Sequence, residues 1–159
     1  MYIITPKNEY QKMSSIIHFF VGFIASALPI SLIYCCCHGV PSVTSDMILS
    51  VTGMFVLSVP IHELIHGMTC AYVSENNCKT ISYGINWKGL NAFCRYTLPI
   101  EPGMRQIVII MPCIVLAVIP ALSGLITGDA ALCLFAIYEF AGASKDIHHF
   151  YSGIRTNRR

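Results

Sequence analysis

MILSVTGMFVLSVPIHELIHGMTCAYV, residues 47–73, is an apolar run broken by a single ionisable cluster, His62-Glu63-Leu64-Ile65-His66. At about 1.5 Å per helical residue it is long enough to cross a hydrocarbon layer of about 30 Å. Its reading decides the rest, because a run of this kind is a membrane-spanning helix carrying reactive groups. Working outward, Ser15–Cys37 forms a second apolar run of about 23 residues, with His18 as its strongly polar member. Downstream, Ile107–Ile126 is the cleanest run. Ala130–Tyr151 is a further one that carries Glu139, Lys145, Asp146, His148 and His149.

Composition agrees. Apolar residues make up 55% of the 159-residue chain and charged residues 11%, against about 25% charged in ordinary soluble domains. So few charges cannot cover a water-facing surface. The net charge of +2, with scattered basic residues, excludes a nucleic-acid partner. The first apolar run is too long for the core of a signal peptide and reads as a retained anchor. Among the eight cysteines, Cys35-Cys36-Cys37, Cys70, Cys113 and Cys133 lie in or beside apolar runs and read as reduced packing residues rather than a disulfide framework.

The expected architecture is therefore an all-α polytopic membrane protein, one domain over residues 1–159, with four spans at about 15–37, 47–73, 107–126 and 130–151. Between the second and third spans the polar stretch Ser74–Arg105 alternates loosely around Asn86-Trp87-Lys88-Gly89, which predicts a β-hairpin over about 79–98. Pro99, Pro102 and Gly103 mark the return to the membrane. Basic residues are retained on the cytoplasmic side. Lys7 and Lys12 precede the first span; Lys79, Lys88, Arg95 and Arg105 lie between the second and third; Arg155, Arg158 and Arg159 follow the fourth. The connections His38–Asp46 and Thr127–Asp129 contain no Lys or Arg. The alternation predicts a multi-pass protein of the cell membrane with both termini and the hairpin cytoplasmic.

Residues four apart share a helix face, so His62 and His66 can hold one metal ion between them. Glu63, next to the first histidine, is placed to act as general base on the attacking water rather than as a ligand. With this chain's His and Glu usage, a chance H-E-x-x-H is expected on the order of once per hundred such sequences. Its setting sharpens the signal, because ionisable groups within an apolar span are costly and line functional interiors. Interhelical hydrogen bonding is the bland alternative.

A zinc site of this type takes three protein ligands and leaves a fourth position open. Asp146 lies about 16 residues into the last span, while His62 and His66 lie about 15 and 19 into the second; both spans run the same way, so the depths agree within about a turn. Glu139 shares the helix face of Asp146 but sits about 10 Å along the helix from it, which suits an interior hydrogen bonder. His149 is three residues beyond Asp146 and remains a rival; His148 points away from that face, and His18 reads as a helix-contact residue. Pro60 offers a local kink that could admit water, or is a tolerated membrane proline. Cys35, Cys36 and Cys37 have no partner cluster for a metal.

These residues resemble the putative zincin peptidase family of membrane proteins and, more distantly, site-2 protease-like intramembrane metalloproteases. The resemblance runs from about Phe55 to Ile147. It rests on His62-Glu63-Leu64-Ile65-His66-Gly67, on Phe93-Cys94, on Met111-Pro112 and Ile119-Pro120, and on Gly142-Ala143-Ser144-Lys145-Asp146-Ile147. It implies one Zn2+ ion held by His62, His66 and Asp146, with Glu63 catalytic. Two departures stand out: Lys145-Asp146 replaces a common Gly-Asp pair, and no Asn-Pro segment precedes the aspartate. The first span lies outside the resemblance.

The reading that follows is a zinc metallopeptidase hydrolysing a peptide bond of a membrane-associated protein or peptide, with membrane lipid as its surroundings. Two other classes compete: a zinc-binding scaffold without hydrolysis, and an ion transporter lined by His62, His66, Glu139 and Asp146. A purely structural metal site has no need of the base Glu63.

Overall fold

The computed structural model describes residues 9–73, 81–86, 91–96 and 101–156. Helices α1 (Glu9–His38) and α2 (Ser45–Val73) come first, then strands β1 (Ile81–Asn86) and β2 (Asn91–Tyr96). Helix α3 (Pro102–Cys113) continues through a π-helical turn, Ile114–Val118, into α4 (Ile119–Thr127). Helices α5 (Ala130–Gly142) and α6 (Ser144–Thr156) complete the chain. The hairpin turn at Trp87-Lys88-Gly89 lies outside the described residues, as do Lys7, Lys79, Lys88, Pro99, Arg158 and Arg159.

Each boundary has a local cause. α1 ends at Gly39, whose φ of 81° suits a glycine C-cap, with its N–H donating to the Cys35 carbonyl at 3.0 Å. Thr44 caps α2, its Oγ1 accepting from the Met47 N–H at 3.2 Å. Pro102 starts α3 where its missing N–H costs nothing. α4 ends at Gly128 with φ 74°, and Asp129 then caps α5 by accepting from Ala131 N–H at 2.8 Å and Leu132 N–H at 3.3 Å. The π-helical turn lies between Pro112 and Pro120, each of which lacks the N–H that a regular α-helix would use. α2 remains helical across Pro60.

α1, α2 and the joined α3–α4 segment are long and apolar enough to cross a membrane. The expected fourth span differs: it divides at Ala143 into an apolar α5 of 13 residues and a more polar α6 of 13 residues. The cause is at the joint. Ala143 has ψ near 0° and its N–H donates to the Glu139 carbonyl at 2.8 Å, closing α5 before the Ser144-Lys145-Asp146 turn opens α6. The third expected span also begins earlier than hydropathy suggests, at Pro102.

α5 is the centre of the bundle, packed on α1, α2 and α4. Ile30 and Tyr34 from α1, Ala121 from α4, and Cys133, Ala136 and Ile137 from α5 form one core cluster. Cys113, Ala117 and Ala143 form another. Cys70, Cys113 and Cys133 are buried free thiols, as packing residues should be. Around this core the outer faces stay apolar: Phe20, Leu28, Leu32, Leu49, Leu57 and Ile126 are all exposed, the surface a hydrocarbon solvent requires.

The two connections free of Lys and Arg meet at one end. Tyr34 Oη donates to the Gly128 carbonyl at 2.8 Å, and His38 Nε2 donates to that of Leu125 at 2.8 Å. At the other end His18 of α1 meets His148 of α6, ring centroids 4.9 Å apart. The antiparallel pair β1–β2, with Tyr83 opposite Cys94 and Gly84 opposite Phe93, lies against α2.

Candidate metal centre

Spacing along α2 stacks His62 and His66 on one face, their ring centroids 4.9 Å apart. Across from them, the first turn of α6 presents Asp146. Its Oδ2 lies 3.1 Å from His62 Nε2 and 3.8 Å from His66 Nε2. One donor atom from each of the three residues falls within 4.8 Å of the other two. The break at Ala143 matters here, because it starts a fresh helix whose first turn faces α2.

The donor set fits zinc on two counts. Bond lengths of about 2.0 to 2.1 Å in a tetrahedron separate neighbouring ligand atoms by roughly 3.4 Å, and the observed 3.1 and 3.8 Å bracket that value. The tautomer is also set. His66 Nδ1 lies 2.8 Å from the carbonyl oxygen of Val108 on α3. A carbonyl can only accept, so Nδ1 carries the proton and Nε2 keeps its lone pair toward Asp146. Val108 is buried, which shields this bond from competing water.

Glu63 stands about 100° round the helix from His62 and stays outside the three-donor cluster. It faces the hairpin. Gly67, one turn on, carries the Tyr83 ring directly over its Cα: a Cβ there would collide with the phenol oxygen and ring carbons. Cys94, paired with Tyr83 across the strands, has its thiol pushed above the ordinary value, first by burial, then by the Glu63 carboxylate and by Cys70. Glu63, Gly67 and Cys70 thus form the stripe of α2 that the hairpin covers.

The other sequence candidates separate. Glu139 is buried against Ser58, with Ser58 Oγ 2.6 Å from Glu139 Oε1, one helical turn before His62. His149 lies beside His148, ring centroids 5.9 Å apart, and does not join the donor cluster. His18 makes a helix contact with His148. Cys35, Cys36 and Cys37 are exposed and outside the cluster as well. Two partners escaped the sequence. Ser58 was visible as a polar residue on the 58-62-66 stripe; the Val108 carbonyl was not, since every residue has one.

A family model described as "putative zincin peptidase" matches residues 55–158, from the middle of α2 through α6. No curated protein and no solved structure matches the chain.

Proposed function

Because the chain belongs to the putative zincin peptidase family, we propose that it is a zinc-dependent intramembrane peptidase that cleaves a membrane-associated protein or peptide. The observation that carries this is the convergence of His62, His66 and Asp146, with His66 held by Val108 in the tautomer a ligand needs. These three residues would hold one zinc ion. Bound there, zinc acidifies the attacking water and polarises the scissile carbonyl.

The chain's own groups do the remaining work. Glu63 takes the proton of the attacking water and returns it to the leaving amine. The Val108 carbonyl keeps the His66 imidazole aimed through its Nδ1–H. The substrate is a membrane-anchored segment that unwinds and adds as an extended strand beside β1–β2, since strand addition satisfies its backbone groups. The hairpin's cover over the Glu63 stripe brings such a strand to the base. On the Lys and Arg distribution, the hairpin and both termini face the cytoplasm of a cell membrane, and water enters from that side.

The test uses purified protein in detergent, with zinc content by elemental analysis and cleavage of fluorescently labelled casein as an unstructured probe. Wild type should hold one zinc and cleave; Glu63→Gln should hold the same zinc and lose at least about 10²-fold in rate. Loss of zinc in Glu63→Gln would make Glu63 a ligand. Zinc-loaded wild type that cleaves no better than Glu63→Gln would favour a zinc-binding scaffold.

A further inference from the structure

Glu139 and Ser58 are both buried in the bundle, and the proposed reaction uses neither. Ser58 Oγ lies 2.9 Å from the Phe55 carbonyl oxygen and 2.6 Å from Glu139 Oε1. A hydroxyl has one proton to give, and a carbonyl oxygen has none. That one proton cannot serve Glu139 and Phe55 equally, whereas a protonated Glu139 donating to Ser58, with Ser58 donating to Phe55, satisfies both contacts at once. The surroundings agree, because among the described residues Glu139 has no ion-pair partner. The ionisable groups nearest in influence are His62 on α2 and Cys113 on α3, and among the described hydrogen bonds the side-chain partner of Glu139 is Ser58. An ionised carboxylate there, unpaired and away from water, is costly.

The position of the pair says what it does. Ser58 is one turn before His62 on α2, and Glu139 is two turns before Asp146 on the α5–α6 segment. The Ser58–Glu139 and His62–Asp146 contacts are therefore successive rungs between the same two stretches of chain. We propose that Glu139 is held as a neutral carboxylic acid donating to Ser58, and that this bond is a positioning contact that keeps α2 in register with α6 so that His62, His66 and Asp146 meet. A buried polar pair suits this task because sliding by one turn would leave both partners unsatisfied.

The positioning role rests on the metal-centre reading; the protonation does not. Infrared spectra of the full chain in detergent at neutral pH, with ¹³C-labelled glutamate, should show a protonated carboxyl band in wild type that vanishes in Glu139→Gln and shifts in Ser58→Ala. Finding only carboxylate bands would overturn the neutral acid. Zinc affinity, measured with zinc alone by competition with a chelating dye, should stay within about threefold of wild type in Glu139→Gln, whose amide can still donate to Ser58. It should fall by about tenfold or more in Glu139→Leu and in Ser58→Ala. Unchanged affinity in Glu139→Leu, or equal loss in Glu139→Gln and Glu139→Leu, would overturn the positioning role. A wild type that binds no zinc would refute the metal centre and the positioning role together, and the infrared band would still decide the protonation.

Discussion

Replacing Asp146 by alanine removes the one donor that α6 contributes, and the size of the loss can be worked out. A four-ligand zinc site in a small protein is worth about 10 to 16 kcal/mol near neutral pH, or roughly 2.5 to 4 kcal/mol per ligand if shared evenly, which is a factor of about 10² to 10³ in affinity. Here Asp146 does more than donate. Its Oδ2 lies 3.1 Å from His62 Nε2 and 3.8 Å from His66 Nε2, so through a shared ion it would also join α6 to α2. The upper part of the range is therefore expected. Chelator competition on purified protein measures it, with Glu139→Ala and His149→Ala as controls that should fall well short of it. The controls are informative because Glu139 sits a rung away on Ser58, and His149 packs beside His148 outside the donor cluster. Zinc affinity that survives Asp146→Ala but is lost in His149→Ala would refute the ligand set, while leaving the two histidines of α2 in place.

Two further outcomes follow from packing and from charge. Gly124→Ala puts a Cβ within 2.8 Å of the Asp129 carbonyl oxygen and 2.9 Å of the Cys133 nitrogen, backbone atoms that cannot move aside. It should lower stability by about 1 to 3 kcal/mol in detergent unfolding. Gly67→Ala meets the phenol oxygen and ring carbons of Tyr83, a half-exposed side chain and not backbone, so it should cost less than Gly124→Ala and instead speed labelling of Cys94 by a thiol reagent. Equal destabilisation by the two would contradict the packing argument. A tag inserted at Lys88 should be accessible from the cytoplasm, together with both termini. Access only from outside would reverse the orientation and the water route with it.

Much of the bundle was legible because the bilayer imposes a length on apolar runs. Met47–Val73 lies within two residues of α2 and Ser15–Cys37 ends within one residue of α1, which begins six residues earlier at Glu9, and the alternation around Asn86 marks two strands. What hydropathy could not see was backbone detail. The run from Ala130 to Tyr151 reads as one helix because its composition changes gradually, yet the Ala143 turn splits it. The π-helical turn between Pro112 and Pro120 was equally hidden, since a membrane helix often tolerates proline without one. The site was legible in a different way. His62 and His66 come from local spacing, and Asp146 came from matching depths along two parallel runs. That match survives the break because a single-residue turn costs little axial rise, whereas the Val108 carbonyl leaves no trace in the identity of its side chain.

The depth of Asp146 also bears on how water would reach the proposed site. α5 has 13 residues, about 20 Å of rise, which is some two thirds of a hydrocarbon layer of about 30 Å. Counting from Ala130, near the Lys- and Arg-free end, Asp146 lies about 24 Å along, roughly one turn from the opposite face. From there on α6 carries His148, His149 and Arg155, residues that belong at an interface. The carboxylate is about a quarter exposed where it meets the two histidines of α2, and on the proposed spans water would have about one turn to travel to it.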